Sequence, residues 1–590
     1  MIKLYATQGE VSTLERSLDD ALGESLVGAK VALAWHLRQR DSVRTLRLVE
    51  EVMPLLGFSA ASGVEGIAEP NPLRARAALA ACEAAALFCE FEAAEQWLVD
   101  ARFSVLRQRD PQAEGDAWLV ESVLAKARGQ REREMQALEA GIAFFETSGA
   151  PERLAIVRAW ASFERTFSQT DLGTSTGLEP PGDAWPEARV AWDALWSAAR
   201  ALALSHRDPA SAASVYQHAS RQASQLGMVR LEVVALINAG AAIQGLGDYD
   251  LAAECFDRAA ARARLTGWPT LIGAANTRVG ELLCNLGAFE ESRAILSDAI
   301  VALGVAGRGI NLAIACTALA QTFIAMGRAE EALEPMREAV GMYREARIWP
   351  SLALNLIFQA RALSAAGHAV QTLAVLDEAQ SLIDEFGLNS LNVGVTDVLA
   401  DLHHRFTLPA PVGLTLPTAA LHYAELTLQQ GLCIDGWKAP ATLYALLATC
   451  WAGAGDHSQA YEYARQALTA KEQESAQKLN YPLALVRLRR RSEGRDEPLV
   501  PAETAPAASP PAGGSRRPRR RYSTTLTPKE RDILLLLERN YSNKAIANSI
   551  DVSEETVKWH LKNLFNKLDA CSRKHAVRRA RTLGFINFSV

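Results

Sequence analysis

Lys558, Trp559 and Lys562 stand close together in the stretch "SEETVKWHLKNLF". If that stretch is helical, these side chains share one face with Glu555 and Asn566. The opposite face carries the apolar stripe Val557, Leu561, Leu564 and Leu568. Ammonium groups at this spacing can reach phosphates or base edges, and an indole supplies apolar contact in a major groove. A helix that only packs has no need of such a face. The chemistry on offer is recognition of a polyanion.

Short helices with readable ends must position that face. Thr527-Pro528-Lys529-Glu530 sets an N-cap threonine, a proline at the first helical position and a glutamate that closes a capping box. That helix turns Ile533, Leu534 and Leu537 inward, and Asn540 is suited to end it. Ser542 caps a second helix, which buries Ile546 and Ile550. Asp551-Val552 forms the turn, Ser553 caps the third helix, and Ser572 begins a fourth that ends before Gly584. Two short helices across such a turn form a helix-turn-helix.

The stretch "LTPKERDILLLLERNYSNKAIANSIDVSEETVKWHLKNLFNKLDACSRKHAV" resembles the LuxR-type DNA-binding domain of bacterial transcription regulators. The matching positions include Glu530, Asn543, Lys544, Ile546, Ser553, Thr556, Val557, Lys558, His560, Leu568, Arg573 and Ala576. Lys529 and Asn540 depart from the usual arginine and glycine. The resemblance implies DNA contacts from Asn543, Lys544, Ser553 and Thr556 beside those of the third helix. It further implies a homodimer on an inverted repeat of double-stranded DNA, joined through the fourth helix by Arg573, Ala576, Val577 and Ala580. Trp559 is bulky for a base-reading position, so the preferred site is this chain's own.

Charge is divided along the chain. Residues 516–590 hold 17 Lys and Arg against 7 Asp and Glu, a balance of +10. The remainder of the chain has a balance of −16. A polyanionic partner is therefore expected at the C-terminal end only. The chain has 590 residues, 49% of them apolar, which is too long for one core and ordinary for a soluble protein. No apolar run spans a membrane and the first residues lack a signal segment, so a cytoplasmic location is expected. The eight cysteines are scattered without a C-x-x-C pair and read as small buried hydrophobes.

The acidic body is a repeat. Gly247, Gly287, Gly327 and Gly367 follow one another at a fixed forty-residue period. Ala219, Ala259, Ala299, Ala339 and Ala379 keep the same period, as do Gly227, Gly267, Gly307 and Gly387, with Arg347 replacing one glycine. Each unit reads as two amphipathic helices: glycine turns the chain between them and the alanine lets them pack closely. One hairpin cannot bury its apolar face, so units must stack. With Tyr249 and Phe289 after the glycines, the pattern resembles tetratricopeptide repeats of unusual length. The expected fold class is all-α: a tetratricopeptide-like solenoid over 1–495, a Pro/Ala/Arg-rich flexible linker over 496–521, and a four-helix reader over 522–590. "GTSTGLEPPGDAWPE" and "FTLPAPVGLTLP" interrupt the array as loops that could bend it. "RRPRRR" is either a soluble linker end or an arm adding phosphate contacts.

Catalytic patterns are weak. "GTSTG" (173–177) has the spacing of a nucleophile elbow but no strand before it. Adjacent His403 and His404 would point to different faces of a helix, so no metal is expected. "GESLVGAK" (23–30) lacks the hydroxyl residue of a phosphate loop, whereas the maltose-activator-type regulators that the chain resembles carry an ATPase domain. No cofactor and no enzyme activity are expected. Of twelve tryptophans most should be core, including the spaced pair Trp192 and Trp196, and a few could line a groove. The reading is a DNA-binding transcription regulator whose body senses a small molecule, peptide or protein, with RNA polymerase a candidate partner. The alternative is a docking scaffold that DNA binding localises.

Overall fold

A computed structural model describes residues 2–56, 72–108, 111–168, 180–182, 185–205, 208–410, 413–434, 437–479, 484–485 and 487–488. In the C-terminal part it describes 528–538, 541–549, 557, 560–561, 564–565, 568, 570 and 573–582. The "GTSTG" stretch and the proline-rich segment with its arginine run lie outside these residues. Among the described residues there is no strand, and no helix is long and apolar enough to cross a membrane.

The first part holds α1 (Gln8–Asp20), α2 (Gly23–Leu37), α3 (Ser42–Val52), α4 (Pro72–Leu87) and α5 (Phe91–Gln108). It continues through α6 (Pro111–Ala127), α7 (Arg131–Ser148), α8 (Pro151–Ser168), α9 (Pro186–Leu204) and α10 (Pro209–Gln225). The regular hairpins are α11 (Val229–Gly245) with α12 (Tyr249–Thr266), and α13 (Pro269–Asn285) with α14 (Phe289–Gly304). They go on as α15 (Ile310–Ala325) with α16 (Ala329–Glu345), and α17 (Trp349–Ala366) with α18 (Ala369–Phe386). The body then runs through α19 (Asn392–Arg405), α20 (Ala419–Leu432), α21 (Ala441–Gly453) and α22 (His457–Leu479).

The forty-residue columns have the roles their chemistry implies. Gly247, Gly287, Gly327 and Gly367 sit at φ between 74° and 92°, in the turn between paired helices. Arg347 takes the same left-handed region at φ 55°, where its neighbours in the series are glycine. Ala219, Ala259, Ala299, Ala339 and Ala379 are fully buried. A further column went unread in the sequence: Phe256, Leu296, Met336 and Leu376 are all buried. A Cβ at Gly240 or Gly280 would fall 2.5 Å from Phe256 or Leu296, so the first helix must stay bare where this large side chain crosses it.

Besides their hairpin partners, α2 touches α4, α4 touches α6, and α11, α13, α15, α17 and α19 touch in succession. These alternate helices therefore stack directly on one another from unit to unit, as a solenoid requires.

The array also coils onto itself. Arg40, after α2, covers Gly227 before α11. Phe88, after α4, lies against Gly267, and Trp268 bonds to Ser42 at 3.1 Å. Gly129, after α6, faces the Arg308 carbonyl. Turns of the first part thus rest on turns of the regular part, pair by pair. After α22 the chain returns: Ala484 and Leu488 are buried in the main core, and the Ala484 amide donates to Asp250 of α12 at 2.8 Å.

The "GESLVGAK" residues lie within α2, a helix with no strand before it. Cys82, Cys255, Cys316 and Cys450 are buried, but Cys433 is exposed and Cys89 and Cys284 are half-buried, so the reading of the cysteines as buried hydrophobes fails for these three. Trp192 and Trp196 stack with centroids 5.4 Å apart, and Trp35 and Trp268 are buried.

Candidate nucleic-acid interface

The C-terminal unit is built on a small core of its own. α23 (Pro528–Glu538) begins at the proline that the capping signal marks and buries Ile533, Leu534 and Leu537. α24 (Asn543–Ser549) opens as its sequence demands: the Ser542 hydroxyl accepts from the Ala545 amide at 3.2 Å. It contributes Ile546 and Ala547 to the core. Val557, Leu561, Leu564 and Leu568 are helical and buried, which fixes the inner stripe of the third helix. The amide of Ala570 bonds back to the Phe565 carbonyl at 2.8 Å, ending that helix. α25 (Arg573–Thr582) closes the unit with Ala576 and Ala580.

Of the expected DNA-contacting residues, Lys544 is exposed and Asn543 is half-buried at the start of α24. The Asn543 Oδ1 has no hydrogen-bond partner among the described residues. Both sit at a helix N-terminus, whose free amides favour an anion. Ser553, Glu555, Thr556, Lys558, Trp559, Lys562 and Asn566 lie outside the described residues.

For the expected dimer helix, Arg573 is exposed and Val577 half-buried, whereas Ala576 and Ala580 are fully buried in the unit's own core. Two arginines were missed as structural clamps. Arg579, 9% exposed, donates Nε–H to the Leu568 carbonyl at 2.7 Å. Arg573 donates to the Tyr541 carbonyl at 2.5 Å. Both tie α25 to orphan carbonyls near helix ends, a role that a count of basic residues cannot separate from phosphate contact. α25 also lies against α10 of the body, which the composition of the tether did not lead one to expect.

His403 stacks on Tyr423 at 5.2 Å, and no group of three or more metal-ligating side chains occurs among the described residues.

Residues 524–580 match the family described as bacterial regulatory proteins, luxR family. The HTH-type transcriptional regulator MalT of Yersinia pestis (strain Pestoides F) is 41% identical over 61 residues, 10% of this chain and 7% of that protein. The HTH-type transcriptional regulator AlkS of Alcanivorax borkumensis is 38% identical over 63 residues, 11% of this chain and 7% of that protein. The chain thus matches only a small part of these relatives. Among solved structures, a Rap protein complexed with competence and sporulation factor aligns over 62% of this chain and 100% of its own, at 11% identity and TM-score 0.45. A human IFIT1 dimer with PPP-AAAA aligns over 79% and 96%, at 14% identity and TM-score 0.35. The C-terminal unit is a luxR-type helix-turn-helix domain, and it stands behind a body of repeated helical hairpins.

Proposed function

We propose that the chain is a sequence-specific transcription regulator whose body senses an effector and whose C-terminal unit reads double-stranded DNA. The observation that carries this reading is the luxR-type match on a unit whose third-helix stripe is buried as the register requires. In that register Lys558, Trp559, Lys562, Glu555 and Asn566 face the major groove, and Ser553 and Thr556 meet the backbone at the helix start. Asn543 and Lys544 add contacts from α24. A homodimer on an inverted repeat fits the fold, formed through the Arg573 and Val577 side of α25, since Ala576 and Ala580 are already buried. Residues 1–495, 496–521 and 522–590 serve as sensor, tether and reader in a cytoplasmic protein without catalysis or cofactor.

The reading is tested by mapping sites across a genome with the intact chain and with Lys558→Ala/Lys562→Ala. Each lysine that touches a base should account for about 1–3 kcal/mol on a cognate site. Unchanged site occupancy with both lysines replaced would overturn it.

A further inference from the structure

Residues Ile2–Ala6 form a short non-helical segment that bends at Leu4–Tyr5 and lies inside the array. Leu4, Tyr5 and Ala6 are each less than a tenth exposed. We propose that the face on which α2, α4, α6 and α8 bring together Trp35, Glu83, Asp116 and Arg153 is a peptide-binding site, and that Ile2–Ala6 is its resident occupant, exchangeable for a peptide of like chemistry. The proposal deepens the sensor reading and rests on it for its biological use.

Side chains of the body hold the main chain of this segment. The Ile2 carbonyl accepts from Arg153 Nη2 at 2.7 Å, and the Lys3 carbonyl accepts from the Trp35 indole at 2.9 Å. The Ala6 carbonyl accepts from the Arg40 guanidinium. A segment outside helix and sheet cannot satisfy its own carbonyls, so a site that supplies fixed donors selects for it. Donors aimed at carbonyls act on any peptide, which makes the grip general.

Selectivity comes from three side-chain positions. The Tyr5 ring lies buried with the Arg38 guanidinium 5.3 Å from its centroid. Lys3 sits between Glu10 at 2.6 Å and Glu187 at 3.1 Å. Leu4 enters the main core. The ligand class is therefore a short peptide with a basic residue, an aliphatic residue and an aromatic residue in succession.

Beneath the segment lies a charge network that packing alone does not require. Arg38 pairs with Glu83 at 2.7 Å, and Asp116 pairs with Arg153 at 3.0 Å and Arg76 at 2.6 Å. Arg38 and Arg76 flank the Trp35 ring at 4.0 and 4.3 Å. The side chains of Arg38, Glu83, Asp116 and Arg153 are at most 4% exposed. Apolar residues of similar volume commonly serve stability as well as buried ions do. What the ions add is a rigid set of donors, held ready by their own partners. Exchange has a route, because a cleft of about 590 Å³ opens beside the segment between Thr7, Glu10 and His36.

The test uses the full chain, the chain lacking residues 2–6, and the Tyr5→Ala chain, with a fluorescein-labelled peptide of residues 2–10. The expected result is micromolar binding to the shortened chain and binding about ten-fold weaker or worse to the intact chain. Tyr5→Ala should strengthen peptide binding to the intact chain, and Arg153→Ala should weaken it in the shortened one. Folding is checked by circular dichroism, and if the shortened chain does not fold, the Tyr5→Ala chain carries the test. No binding to a folded variant, or equal binding of a scrambled peptide, overturns the proposal. Operator affinity measured with and without peptide separates the two ideas: peptide that binds without changing it leaves the site standing and removes the sensor role.

Discussion

The indole of Trp268 donates to the Ser42 hydroxyl at 3.1 Å across 226 residues of chain, with both side chains buried. The bond joins the turn before α13 to the start of α3 and so ties the regular hairpins to the first part. Trp268→Phe should cost about 1–2 kcal/mol, because the ring volume shrinks and a buried partner loses its donor. Urea denaturation measures it. A cycle with Ser42→Ala should show coupling of at least about 0.5 kcal/mol. Additive effects would mean that the bond contributes nothing.

Arg347 occupies a left-handed turn position that its series otherwise gives to glycine. A Cβ there is strained, while glycine enlarges the freedom of the unfolded chain, so the two effects oppose. The strain is the larger, and Arg347→Gly should stabilise the protein by about 0.5–1 kcal/mol. A higher denaturation midpoint at unchanged slope is the expected reading; a lower midpoint would show that the side chain holds the turn.

Burial pushes the His36 imidazole from its ordinary 6.5 down to about 3, and the positive charge of Arg38 acts in the same direction. The folded chain keeps this ring neutral, so the unfolded chain takes up the extra proton as pH falls through 6.5. The stabilisation is full above that pH and is lost progressively on the way down to about 3. Between pH 7.5 and pH 5 the loss from this group should be about 2 kcal/mol. Stability curves of the native chain and His36→Gln at the two pH values isolate it; equal pH slopes would refute the shift.

α25 lies against α10 of a body whose net charge is −16, and that body is expected to compete with DNA for the basic unit. Residues 522–590 alone should bind a cognate duplex at least as tightly per dimer as the full chain at low salt. The difference should shrink as salt rises. Should the isolated unit dimerise and yet lose specific binding, the body must organise the dimer.

Much of the fold was legible because a hairpin repeat writes local requirements into the chain. A left-handed turn asks for glycine and a close helix crossing asks for alanine, and both recur with the unit. The Phe256, Leu296, Met336 and Leu376 column was equally periodic but varied in residue type, which hid it. Nothing local announces that Trp268 meets Ser42 or that Phe88 meets Gly267, since those meetings depend on the summed rotation of several units. The Ile2–Ala6 segment was invisible for a related reason: its partners are Trp35, Arg38 and Arg40 in and just after α2, and Arg153 in α8, some 150 residues from the segment. In the reader, the buried residues of the first and third helices, Ile546 and the Ser542 cap followed from sequence, Ile550 lies outside the described residues, and Arg573 and Arg579 as clamps did not follow.

The stacked turns change how such a chain can vary. In an open solenoid a unit can be duplicated or deleted, since each touches only its neighbours. Here an extra unit between Ser42 and Trp268 would carry every later turn past its partner, as a tooth added to one of two meshed gears shifts all that follow. Length variation should therefore be confined to the far end, beyond the hairpins that the first part touches, and the number of units before it is locked by geometry.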